Sequence, residues 1–145
     1  MHRKTTMRPS RGVCIDASAL VDLLLGLPRA KAVAQVLEGV DVTVAPDHVN
    51  AEVLGAIRRK ERVGDISPER AAKAVAALAD APVRRLPTTG MLEAVWALRA
   101  SLAPFDACYV VTARSLGVPL LTADLRLARA PDLGVSVIGV VSCSL

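Results

Sequence analysis

The sequence predicts a three-layer α/β/α domain on a mostly parallel sheet, from three observations. Short, wholly apolar runs such as Val13-Cys14-Ile15 and Leu120-Leu121 alternate with amphipathic helical stretches along the whole chain. Continuous apolar runs of that length suit strands buried on both faces, the situation in a parallel sheet covered by helices on each side. Asp16 and Asp124 stand at the carboxyl ends of two such runs, where open α/β sheets bind their ligands.

Residues 12–16 read as the first buried strand. Residues 17–25 carry leucines 20, 23, 24 and 27 in a helical stripe stopped by Gly26 and Pro28. A second helix covers 29–37 and ends at Gly39. Residues 42–45 are a strand closed by Pro46, and Pro46 or Asp47 opens a long helix to about Arg62. Ser67-Pro68-Glu69 starts the next helix, with proline in its first turn, and the Ala-rich run continues to about Ala79. A strand at 83–86, helices at 89–101 and 105–116, a strand at 118–122, a short helix at 125–130 and a strand at 135–140 complete the chain. No repeat or linker divides it, so 12–145 is expected to be one domain. Residues 1–11 are basic and polar, lack the apolar stretch of a secretory signal, and read as a loose arm in which Met7 is an alternative start.

The chain has 145 residues, enough for one core of its own. It is 52% hydrophobic with one Trp, one Tyr and one Phe, so the core must be aliphatic. The lack of an aromatic platform to stack bases argues against OB-type and RRM-type nucleic-acid binding. The net charge of +4 is compatible with a polyanionic partner or with an ordinary solvated surface. Cys14, Cys108 and Cys143 lack zinc-ligand spacing and suggest small core residues in a reducing compartment. Charges, Pro or Gly interrupt every apolar stretch before membrane-spanning length, and a cytoplasmic domain is expected.

The carboxylates sort by helical and strand position. Asp16 and Asp124 end apolar runs; each also precedes a helix and fits an N-cap. Asp106 shares a helical face with Leu102, Tyr109, Val110 and Ala113 and so points inward. Glu52 flanks the stripe of Val49, Val53, Ala56 and Ile57. Asp22 falls opposite the leucines and is expected to be solvated; Glu61, Asp65, Glu69 and Asp80 read as surface or capping residues. If Asp16, Glu52, Asp106 and Asp124 converge, either some are protonated or a divalent cation neutralises them, since two charges ~4 Å apart repel by about 4 kcal/mol at an effective dielectric near 20. Oxygen ligands without His or Cys nearby favour Mg²⁺ or Mn²⁺. Ser18 and Thr122, two residues from Asp16 and Asp124, are suited to orient a ligand carboxylate or water, or to cap and turn locally.

The order Asp16-Ala17-Ser18-Ala19-Leu20, Asn50-Ala51-Glu52-Val53, Phe105-Asp106-Ala107 and Leu121-Thr122-Ala123-Asp124 resembles the PIN-domain family, most of all the VapC-type toxins of bacterial toxin–antitoxin pairs. The resemblance runs from about Val13 to Val140, and the family's four acidic positions fall on Asp16, Glu52, Asp106 and Asp124. It implies a Mg²⁺- or Mn²⁺-dependent endoribonuclease, with RNA as substrate, a small antitoxin as partner and a homodimer as assembly. Some members carry a further acid after the last Asp, where this chain has Leu125-Arg126-Leu127. That departure favours a one-metal resting site.

In such an enzyme a metal-activated water attacks phosphorus in line with the leaving 3′ oxygen, giving 5′-phosphate and 3′-hydroxyl ends. Arg59, two turns from Glu52, and Arg126 are the candidate phosphate contacts, with Arg129 nearby and a surface salt bridge as the default alternative for Arg59; Arg58 and Arg62 face away from the apolar stripe. Two rivals stand beside this reading. One is a PIN-like module that binds RNA or protein without cutting. The other is an aspartate-based phosphotransfer domain, disfavoured because Asp16 has no adjacent acid and no Lys stands near 135–140. Dinucleotide and NTP sites are excluded, since neither G-x-G-x-x-G nor a G-K-[ST] loop occurs.

Overall fold

A computed structural model describes residues 10–130 and 132–142. Five strands, β1 (Gly12–Ile15), β2 (Val42–Pro46), β3 (Val83–Leu86), β4 (Leu120–Thr122) and β5 (Val137–Gly139), form one sheet in the order β3-β2-β1-β4-β5. Every pairing is parallel, so the sheet is wholly rather than mostly parallel. The helices are α1 (Ala17–Leu25), α2 (Ala30–Glu38), α3 (Val49–Arg62), α4 (Pro68–Asp80), α5 (Leu92–Ala97), α6 (Pro104–Leu116) and α7 (Leu125–Ala128). They complete the three-layer α/β/α architecture.

The two central strands are enclosed: Val13, Cys14 and Ile15 of β1 and Leu120, Leu121 and Thr122 of β4 are fully buried. α6 packs across β1, β2 and β4, with α5 against its outer side, while α1 gathers α2, α3 and α4 around itself. The core is aliphatic apart from Tyr109, and Trp96 and Phe105 are exposed. Cys14 and Cys108 are buried free thiols, as small core residues should be; Cys143 lies outside the described residues. No described helix is long and apolar enough to cross a membrane.

Several boundaries differ from the sequence reading. Arg11 is tied to the start of β2 rather than loose: its N–H donates to Asp41 Oδ2 at 2.9 Å and its carbonyl accepts from Asp41 and Val42. Residues 1–9 lie outside the described residues. The helix expected over 89–101 is a 3-10 turn (Thr89–Met91) followed by α5, which stops at Ala97. Pro104 requires an extended residue before it, and Ala103 (ψ 151°) supplies one, so α5 cannot run on into α6. The long helix begins at Val49, because Pro46 still belongs to β2. Gly139 permits a close approach: a Cβ there would lie 2.8 Å from Ala128 Cβ, so only glycine lets α7 settle on β5.

Sequence order carries the sheet from β1 to β2 to β3 on one side, then across to β4 and β5 on the other. The switch point therefore lies between the carboxyl ends of β1 and β4, where such sheets open a crevice. Pairing of Ile15 with Leu121 sets Asp16 beside Thr122 at that crevice.

Candidate metal centre

Asp16 is both cap and site residue. As N-cap of α1 its Oδ1 accepts from Ala19 N at 3.0 Å, and Ser18 Oγ donates to the same oxygen at 2.7 Å. Thr122 Oγ1 donates to Oδ2. A carboxylate offers about four lone-pair sites. Three are taken, and one on Oδ2 remains. Asp16 is 5% exposed, and burial raises its pKa to about 6, against the lowering effect of the Thr122, Ala19 and Ser18 hydrogen bonds and with help from the charge of Asp124.

The same two hydroxyls reach the β4–α7 turn. Ser18 Oγ accepts from Ala123 N at 3.0 Å, and Thr122 Oγ1 accepts from Asp124 N at 2.9 Å. Asp124 in turn caps α7 through Arg126 N at 2.9 Å. Ser18 and Thr122 thus tie the Asp16 carboxylate to the Ala123–Asp124 turn.

Asp106 lies in the first turn of α6 and is half-buried. Burial raises its pKa; Arg126 opposes that, while Asp124 and Glu52 reinforce it. The Asp124 and Glu52 charges thus act on Asp106, and the Asp124 charge acts on Asp16. Arg126 Nη2 spans the gap, 3.2 Å from Asp106 Oδ2 and 3.1 Å from Asp124 Oδ2.

Glu52 sits one turn into α3, where Tyr109 OH donates to its Oε1 at 3.0 Å. His48 Nδ1 is 2.8 Å from the same oxygen, and its ring packs between Phe105 and Tyr109. A histidine therefore does stand beside the acids, contrary to the sequence reading; the i, i+4 spacing to Glu52 was its only sign. Burial and the Glu52 charge raise the Tyr109 pKa, so its hydroxyl stays a donor. Arg59 shares a recess of about 360 Å³ with His48, Glu52 and Phe105, on the Glu52 edge as the helical spacing predicts. Arg58 and Arg62 are exposed, as are Glu61, Asp65, Glu69 and Asp80.

Asp22 reverses its expectation. It is buried, 6% exposed, and its Oδ2 lies 2.8 Å from Arg29 Nε.

The donor set fits a hard divalent cation. It is carboxylate oxygen throughout, a lone-pair site of Asp16 stays open, and the guanidinium of Arg126 already bridges Asp106 and Asp124 as one cation shared by two carboxylates. Among the described residues no three acidic, histidine or cysteine side chains form a ready ligand shell as they are now turned. Glu52 is directed to Tyr109 and His48, and Arg126 holds the other two.

The PIN domain profile matches residues 13–133. Ribonuclease VapC12 of Mycobacterium tuberculosis is 40% identical over 118 residues, covering 81% of this chain and 91% of its own. The crystal structure of M. tuberculosis VapC20, described as a sarcin-ricin loop cleaving toxin, superposes with a TM-score of 0.62 at 20% identity, covering 86% of this chain and 98% of that one. VapBC2 of Rickettsia felis, solved bound to a DNA fragment from its promoter, gives 0.62 at 10% identity over 89% of this chain and 98% of that one.

Proposed function

The chain belongs to the PIN domain family, and from that premise we propose that it is the endoribonuclease toxin of a toxin–antitoxin pair, dependent on Mg²⁺ or Mn²⁺ and acting in the cytoplasm as a homodimer. The observation that supports this reading is that Arg126 Nη2 spans Asp106 and Asp124 while Thr122 Oγ1 ties the Asp16 carboxylate to the Asp124 N–H at the switch point between β1 and β4, in a chain whose relatives are named ribonucleases.

Asp16, Glu52, Asp106 and Asp124 would hold the cation. When bound, it supplies a Lewis acid that makes water nucleophilic near neutral pH and stabilises charge on the phosphoryl group. The protein's part is preparation. Ser18 and Thr122 fix the Asp16 carboxylate, so that its open lone pair has one direction. Tyr109 holds Oε1 of Glu52. Asp106, whose pKa burial raises and the Arg126 guanidinium lowers, would exchange that guanidinium for the cation. Freed from the carboxylates, Arg126 is placed to take a backbone phosphate on one side of the scissile bond, with Arg59 on the other. Water adds to phosphorus, the bond to the 3′ oxygen breaks, and that oxygen takes a proton, leaving 5′-phosphate and 3′-hydroxyl ends.

The test is cleavage of RNA by the purified chain with Mg²⁺, with Mn²⁺ and after chelation, alongside Asp16→Asn and Asp106→Asn. Cutting that requires the cation and is lost in both folded variants supports the reading. Cutting at the wild-type rate by either variant, or after full chelation, overturns it.

A further inference from the structure

A second polar chain reaches the acidic edge from behind. Asp22 lies in α1, and a carboxylate buried to this degree is costly without a partner. Its partner is Arg29, the residue capping α2, with Nε 2.8 Å from Oδ2. The short turn between them makes the meeting possible. Gly26 takes the left-handed conformation at φ +62°, its N–H donates to Leu23 O, and Leu27 N–H donates to Asp22 O, which turns the chain back on α1. Arg29 then extends past Asp22, and its Nη1 donates to the carbonyl of Ala123.

Ala123 stands between Thr122 and Asp124 and is buried. Its N–H already donates to Ser18 Oγ, and the next N–H, of Asp124, donates to Thr122 Oγ1. The Arg29 bond completes the set, so the peptide groups on both sides of Ala123 are held. A surface ion pair would order nothing. This pair has a buried carboxylate at one end and a buried backbone carbonyl at the other, beside an acid of the site.

We propose that Arg29, oriented by Asp22, is a positioning residue for the acidic site: it fixes the Ala123–Asp124 turn and so the bearing of the Asp124 carboxylate. The proposal rests on the reading above that Asp124 helps to hold a divalent cation. Partners outside the ligand shell that orient a ligand change metal affinity by about 10- to 100-fold when removed. A lysine keeps the charge but lacks the fork that reaches two acceptors at once, so it should restore only part of the effect.

The experiment uses the full chain and three variants, Arg29→Ala, Arg29→Lys and Asp22→Asn. Mn²⁺ affinity is read without RNA from the free-Mn²⁺ paramagnetic signal, and amide hydrogen exchange is followed over residues 122–126. Arg29→Ala is expected to weaken Mn²⁺ binding on the order of tenfold and to speed exchange in that segment, leaving α3 and α4 protected. Arg29→Lys should fall between it and wild type, and Asp22→Asn should shift both readouts the same way. Adding Asp22→Asn to Arg29→Ala should cost little more, because the two act as one unit. If Arg29→Ala does not fold, Arg29→Lys and Asp22→Asn carry the same two readouts. Wild-type affinity and wild-type exchange in folded variants overturn the proposal. A wild-type chain that binds Mn²⁺ but cuts no RNA overturns the ribonuclease reading and leaves this one to stand or fall on its own readouts; one that binds no Mn²⁺ removes both.

Discussion

The Thr122 hydroxyl donates to the Asp16 carboxylate from the neighbouring strand and accepts from the N–H of Asp124, so one side-chain oxygen joins two acids of the site. Because β1 and β4 are parallel neighbours, residues far apart in sequence share one edge, and the contact is fixed by sheet register rather than by loop conformation.

That register predicts the effect of Thr122→Val. The isosteric change leaves Asp16 without one donor and the Asp124 N–H without its acceptor, a loss of about 1–3 kcal/mol in a buried setting. The Thr122 bond lowers the Asp16 pKa, so its removal raises it. The acid limb of the cleavage profile should therefore move to higher pH, which a pH–rate series on both proteins measures. An unmoved limb would show that Asp16 does not set it.

Stability should carry a signature of Asp16. Its folded pKa of about 6 lies above the ordinary value of 3.8, so between those values the folded chain holds a proton that the unfolded chain has released. Its stabilising contribution is full below about pH 4 and is lost as pH rises through about 6, amounting to roughly 3 kcal/mol at most. Asp16→Asn cannot titrate there. Measured by denaturant unfolding without divalent cations, the variant should gain on wild type as pH rises over that window, and Mg²⁺ should narrow the gap. A pH-independent difference would contradict a buried Asp16 with a raised pKa.

Arg126→Ala separates two roles of one guanidinium. If Arg126 contacts a phosphate in the complex, KM for RNA should rise several-fold with kcat less affected, and the logarithmic salt slope of binding should fall by about 0.7, one contact on a single strand. Fluorescence binding at several salt concentrations gives the slope. An unchanged slope with tighter Mn²⁺ binding would mean that Arg126 only fills the acidic site when the cation is absent.

What was legible in the sequence follows from what periodicity encodes. The alternation of apolar strands and helical stripes carried the sheet and its layers, and the strand-end rule placed Asp16 and Asp124 on one edge. Asp106 and Glu52 were picked out by the faces they occupy on α6 and α3. Asp22 was misread because a wheel with one apolar stripe assumes one packing partner, whereas α2, α3 and α4 all pack on α1 and Arg29 lies against the Asp22 carboxylate. His48 was missed because its role depends on Tyr109 and Phe105, contributed by α6 from far along the chain. The break after α5 was missed because the apolar pattern continues through Leu98 and Leu102, past the C-cap at Leu98.

The partner should use the recess beside Glu52. It is lined by His48, Ala51, Glu52, Gly55, Arg59 and Phe105, and the Phe105 ring, 58% exposed, offers an apolar anchor at its rim. Arg126 demonstrates that a guanidinium fits between Asp106 and Asp124. We therefore expect an antitoxin whose C-terminal segment covers Phe105 and delivers an Arg or Lys to the carboxylates, excluding both cation and RNA. Arg suits the position because its fork matches carboxylates in pairs. Phe105→Ala should weaken the complex by about 2 kcal/mol, roughly 30-fold in Kd, if the ring is a buried anchor. Co-expression with the adjacent reading frame, co-purification, titration of the Phe105→Ala chain and a cleavage assay on the complex test the whole arrangement. A stable complex that still cuts RNA at full rate would rule out blockade of the acidic site, and an unchanged Kd would remove Phe105 from the interface.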